Sequence, residues 1–132
     1  MAKSISPFLM FQDGAAETAM NFYVSLFPGS SIQSIARFGP EGPGKEGTVM
    51  TGILNLNGQA IIFLDSPVKH AFTFTPAVSL FVACESVEEI DRLFAALSDG
   101  GQVLMGLDAY PFAQRFGWTN DRFGISWQLR FG

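Results

Sequence analysis

Two helix-period segments, each led in by one apolar strand and followed by three more, recur along this chain at an offset of roughly 70 residues. No other feature constrains the fold as strongly. In the first copy, 5–11 reads as a short apolar strand. Asp13 is placed as a helix N-cap, with Gly14, Ala15 and Ala16 opening the helix. Ala16, Met20, Tyr23 and Phe27 then share one face, and Pro28-Gly29 stops the helix. Strands follow at 31–38, 48–57 and 60–65, the last two joined by Asn57-Gly58, a strong two-residue hairpin signal. In the second copy, 77–84 is an apolar strand, Ser86 caps a helix, and Glu89 completes a capping box. Ile90, Leu93, Phe94 and Leu97 give the buried face, and Gly100-Gly101 ends it. Strands are expected at 102–105, 111–120 and 125–131, with a turn at 121–124. Each copy has one helix to cover one face of a small sheet, so the other face needs a different cover. The order predicts an α+β fold: one domain, 1–132, of two βαβββ modules, 1–66 and 75–132, forming a curved mixed sheet around a shared cleft.

Composition excludes several classes of function. The chain is 48% hydrophobic and 15% charged, which excludes disorder. Fourteen phenylalanines can build a core without disulfides, and the single cysteine, Cys84, cannot form one within the chain. The net charge of −4 argues against nucleic acid and against an anionic membrane surface as partners. No apolar run is long enough to span a bilayer, and MAKSISPFLMF lacks the usual signal-peptide core, so a cytoplasmic protein is expected.

Three stretches resemble a known family. They are Asn21-Phe22-Tyr23 with Phe27-Pro28, the turn Leu56-Asn57-Gly58-Gln59, and Gly117-Trp118 followed by Asp121-Arg122-Phe123-Gly124-Ile125-Ser126-Trp127-Gln128. Together with the layout they resemble the PhnB-like branch of the vicinal oxygen chelate superfamily, which includes glyoxalase I, bleomycin-resistance proteins and extradiol dioxygenases. Members of that branch often carry the description 3-demethylubiquinone-9 3-methyltransferase. The resemblance implies the glyoxalase/bleomycin-resistance fold, a small-molecule ligand and a homodimer. This sequence departs from the branch at Phe116, where members often have Cys.

Hairpin parity assigns residues to faces. With 121–124 as a four-residue turn, Trp118 pairs with Trp127 and Phe116 with Leu129, making the helix side. Arg115, Gly117, Thr119, Ser126, Gln128 and Arg130 then line the cleft. A shift of one residue exchanges the two lists. The first hairpin puts Thr51, Ile53, Ile62 and Leu64 on the cleft side, and Phe8, Met10 and Phe81 share parity with Ser6 and Ser79. Core packing is the alternative for those three. In metal-dependent relatives the ligands are a His on the first strand of each half and a Glu on the last. By resemblance these positions fall here on Ser6, Ser79, Ile62 and Gln128, none a strong divalent-metal ligand, so no metal or other cofactor is expected. The sole histidine, His70, lies in the polar connection between the halves.

Other motifs fail on physical grounds. The segment 39–47 matches Gly-x-Gly-x-x-Gly at Gly42, Gly44 and Gly47, but Pro40 and Pro43 remove backbone donors and no helix follows. A hairpin loop is expected, with a lid as the alternative. The S-adenosylmethionine-dependent doubly wound fold would need a Gly-rich strand–turn–helix that this chain lacks. Cys84 has no basic neighbour in sequence and reads as a buried structural thiol. Arg115 and Arg130, if cross-strand neighbours, would need an anionic ligand or an acid such as Asp108 between them. The expected function is metal-free small-molecule binding. The alternatives are an enzyme of the same fold acting on a small aromatic or quinone-like compound, and a protein–protein adaptor.

Overall fold

The computed structural model describes residues 2–132. They contain eight strands and two helices in the order β1 (Phe8–Phe11), α1 (Ala16–Leu26), β2 (Ser31–Arg37), β3 (Val49–Leu56), β4 (Gln59–Asp65), β5 (Ser79–Ala83), α2 (Val87–Ser98), β6 (Gln102–Tyr110), β7 (Ala113–Asn120) and β8 (Ser126–Phe131). The chain forms two compact units, one ending at Thr73 and the next beginning at Phe74.

In the first unit the strand order is β1-β4-β3-β2, with β1 parallel to β4 and the other pairs antiparallel. The crossover through α1 makes the parallel pair possible, because parallel neighbours need a long connection. Asn57 and Gly58 both have positive φ, 52° and 93°, as a two-residue hairpin turn requires. Helix α1 lays Ala16, Ala19, Met20, Tyr23 and Leu26 on the sheet, against Leu54, Ile61 and Phe63. The Met20 thioether fills the space over Gly52, where a β-carbon would lie 2.7 Å from its sulfur.

Two expectations for this unit are corrected. Strand β1 starts at Phe8, not at residue 5; Ile5 is 88% exposed. Nor is Asp13 the N-cap. The cap position is Ala15, whose N–H bonds to Asp13 Oδ1 at 3.2 Å, and the helix amides are served from elsewhere. The Asp65 carboxylate, 4% exposed at the end of β4, accepts from Ala16 N–H at 3.0 Å and from Val49 N–H at 2.8 Å. One buried acid therefore caps α1 and fixes the start of β3.

The second unit repeats this topology as β5-β8-β7-β6, with β5 parallel to β8. Ser86 caps α2 as expected, accepting from Glu89 N–H at 3.0 Å. The Glu89 carboxylate reaches one residue further back than a standard capping box and takes the Glu85 N–H at 2.7 Å. Ile90, Leu93, Phe94 and Leu97 pack against Trp127 and Leu129. Phe94 lies over Gly117, where a β-carbon would meet its ring at 2.3 Å. Strand β6 runs to Tyr110, past the expected end at 105, through several register irregularities that let it bend with β7.

The 39–47 segment is the β2–β3 connection. It wraps the buried Phe38 ring, which a β-carbon on Gly44 would strike at 2.6 Å. Among the described residues no helix is long and apolar enough to cross a membrane.

Candidate functional site

Each sheet has a face turned away from its helix. In the first unit the register aligns Phe8 with Ile62, Met10 with Leu64, and Ile53 with Ile62. This face is apolar, with Thr51 further along β3 and Phe8 56% exposed. Ser6 lies just before β1, whose start is tied to β4 by Ile62 N–H donating to Pro7 O at 2.9 Å.

The second unit corrects the expected hairpin register. Trp118 pairs with Gln128, Thr119 with Trp127, Gly117 with Leu129 and Phe116 with Arg130. The loop has three residues, not four. Asp121 N–H bonds Ile125 O at 2.8 Å, Gly124 N–H bonds Asp121 O at 3.0 Å, and Gly124 has φ 90°. This is the three-residue hairpin with a left-handed residue in its last position. The Asp121 carboxylate, 3% exposed, holds it: Oδ1 accepts from Phe123 and Ile125 N–H at 2.8 and 3.1 Å, and Oδ2 from Trp127 Nε1 at 2.9 Å.

Because side chains alternate, this one-residue correction exchanges the faces of β7 while β8 keeps its own. Arg115 and Thr119 therefore belong to the helix side. Arg115 Nε donates to Asp91 Oδ1 on α2 at 2.7 Å, and Ser98 Oγ donates to the buried Thr119 Oγ1 at 3.1 Å. Phe116 and Trp118 join Ser126, Gln128 and Arg130 on the far face. The two arginines do not oppose each other, and the acid that meets Arg115 is Asp91, not Asp108. Arg130 instead donates to Phe112 O at 2.6 Å.

On that face four side chains form a chain of hydrogen bonds. Trp118 Nε1 donates to Ser126 Oγ at 2.8 Å, Ser126 and Ser79 hydroxyls meet at 2.7 Å, and Gln128 Nε2 donates to Ser79 Oγ at 3.3 Å. Ser126 is 2% exposed. Register alone explains the meeting: Ser79 is aligned with Ser126 and Phe81 with Gln128 across the parallel pair. Phe81 is 57% exposed beside this chain. Asn120, aligned with Ser126, buries its Oδ1 with no hydrogen-bond partner. Ser126 falls on the face expected for it; Trp118, expected on the helix side, is the member of this chain that parity misplaced. Treating Gly124 as the left-handed end of a three-residue loop would have recovered Trp118.

Of the metal-ligand positions implied by resemblance, Ser79 and Gln128 come together and Ile62 faces the same way as Phe8 in the other unit. A hydroxyl, an amide and an aliphatic chain do not fit a divalent cation. Among the described residues no group of three His, Cys, Asp or Glu side chains gathers anywhere. The His70 ring stacks on Phe72 at 4.8 Å, and the His70 backbone N–H donates to Gln12 Oε1. Cys84 is free and buried; burial first, then the Glu89 charge, pushes its thiol up to about 11.

Comparison with known proteins agrees with this architecture. A PhnB protein of Bacillus cereus, which carries the 3-demethylubiquinone-9 3-methyltransferase description in provisional form, is 55% identical. The match covers 98% of this chain and 100% of that one, with TM-score 0.95. A Pseudomonas aeruginosa protein is 28% identical over 98% of both chains, TM-score 0.78. A glyoxylase/bleomycin resistance protein/dioxygenase domain from Frankia shares the fold at 15% identity, covering 100% of this chain and 93% of that one, TM-score 0.69. The family model described as 3-demethylubiquinone-9 3-methyltransferase matches residues 3–130, and the chain belongs to that family.

Proposed function

We propose that this protein binds a small molecule with an apolar body and a polar end on a sheet face turned away from its helix, without a metal ion. The Trp118–Ser126–Ser79–Gln128 hydrogen-bond chain carries this reading. It is a partly buried polar patch beside the exposed ring of Phe81, the mixture of apolar wall and few fixed polar groups that ligand sites use. Arg130 extends this surface on β8; Phe8, Met10, Thr51, Ile53 and Ile62 are the corresponding surface of the first unit, with Ser6 at its margin. We place the protein in the cytoplasm, on its lack of a long apolar run or signal-peptide core, and, as the resemblance implies, as a homodimer.

The test is mass spectrometry of small molecules released by denaturing freshly purified protein, with metal analysis of the same sample. A near-stoichiometric organic molecule, lost in Gln128→Leu, is expected. A stoichiometric transition metal would contradict the reading.

A second reading is favoured by the family description alone: catalysis on a small aromatic or quinone-like compound. Transfer of a labelled methyl group from S-adenosylmethionine to a demethylated quinol by the pure protein would establish it over passive binding.

A further inference from the structure

We propose that Ser79 presents a hydrogen-bond donor to the ligand, so that the ligand's polar end is a carbonyl-type acceptor oxygen. The inference rests on the small-molecule reading above and follows from counting hydrogens. A hydroxyl has one hydrogen and two acceptor sites, and an indole N–H only donates. Trp118 therefore fills one acceptor site of Ser126. The 2.7 Å contact between the serines carries one hydrogen, from either side. Were it Ser79's, the Ser126 hydrogen would be left without an acceptor on a residue 2% exposed, since the aligned Asn120 Oδ1 takes no hydrogen bond from it, with the desolvation cost that this brings. Ser126 thus donates to Ser79.

Gln128 Nε2 fills the second acceptor site of Ser79. Ser79 can then accept nothing more, and its own hydrogen is unused. The outcome holds for the orientation in which Gln128 Nε2 meets Ser79 Oγ; turned over, Oε1 would take the Ser79 hydrogen and the outward donors would be those of the amide itself. Phe81, two residues along β5 and 57% exposed, supplies an apolar surface on the same face. A ligand ending in an acceptor oxygen on an apolar ring matches this patch. One ending in an ammonium sets donor against donor at Ser79 and leaves it only Gln128 Oε1 as an acceptor.

The two indole N–H signals of the protein separate the outcomes by NMR. Trp118 lies in the patch, and Trp127, bonded to Asp121 on the helix side, is the internal control. The probes are 1-tetralone, tetralin and 1-aminotetralin, which share a ring system and differ at the polar end. The Trp118 signal should move and the Trp127 signal should not. 1-Tetralone should bind about fivefold more tightly than tetralin, the effect of one net hydrogen bond, with 1-aminotetralin weakest. Ser79→Ala should bring 1-tetralone and tetralin to equal affinity while tetralin binding is kept. The wild-type ranking decides the matter even if the variant does not fold. Trp118 responding with tetralin or 1-aminotetralin bound as tightly as 1-tetralone would overturn the donor assignment and leave the binding reading standing. No Trp118 response to any of the three would overturn both.

Discussion

At the scale of single residues, two buried carboxylates do the same work in the two halves. Asp65 ties the first amide of α1 to the first amide of β3, and Asp121 ties the β7–β8 loop to Trp127. Hydrogen bonds to a charged group contribute about 1.5–3 kcal/mol each, and their loss leaves buried donors unpaired. Asp65→Ala should therefore lower stability by about 3 kcal/mol in urea unfolding, whereas Asp13→Ala should cost well under 1 kcal/mol. Cys84 gives a pH prediction. Its folded thiol titrates near 11, above the ordinary value of 9.0, because burial disfavours the thiolate. A raised acid contributes stability that is complete below the unfolded value and is lost as pH rises from about 9 toward 11. Cys84→Ala should flatten that alkaline decline, and at pH 8 Ellman's reagent should react with the native thiol only on the timescale of unfolding.

At the scale of elements, close approaches between helix and sheet decide tolerance. Gly117→Ala would drive a β-carbon into the Phe94 ring and should destabilise α2 packing by about 2 kcal/mol, read as a lower urea midpoint. Gly124→Ala, at φ 90° in the hairpin loop, should cost about 1 kcal/mol and weaken register. The helices, the Asn57-Gly58 turn and the core faces of α1 and α2 were legible because periodicity and turn chemistry are local. The helix cap of α1 was not, because its acceptor lies 49 residues away. The β7 face was lost to a single residue of loop length. Nothing in Arg115 itself distinguishes pairing with Asp91 from service in a site; only the register decides it.

At the scale of the whole molecule, the same topology is built twice, and each sheet leaves one face away from its helix. The faces of β1, β3, β4, β5 and β8 followed from parity, while the hydrogen-bond chain needed three-dimensional register. If Ser6, Ile62, Ser79 and Gln128 do not hold a cation, adding zinc, nickel or manganese should leave the melting temperature unchanged. A specific ion at 100 times its dissociation constant would add about 2.7 kcal/mol. We propose that a small molecule sits on the face carrying Ser79, Trp118, Ser126 and Gln128. The most direct measurement is a crystal structure of the protein soaked with 1-tetralone. The ring should lie beside Phe81 with its oxygen within hydrogen-bond distance of Ser79 Oγ. A ring bound on the helix side near Arg115 and Asp91, or an ion held by Ser79 and Gln128, would contradict it.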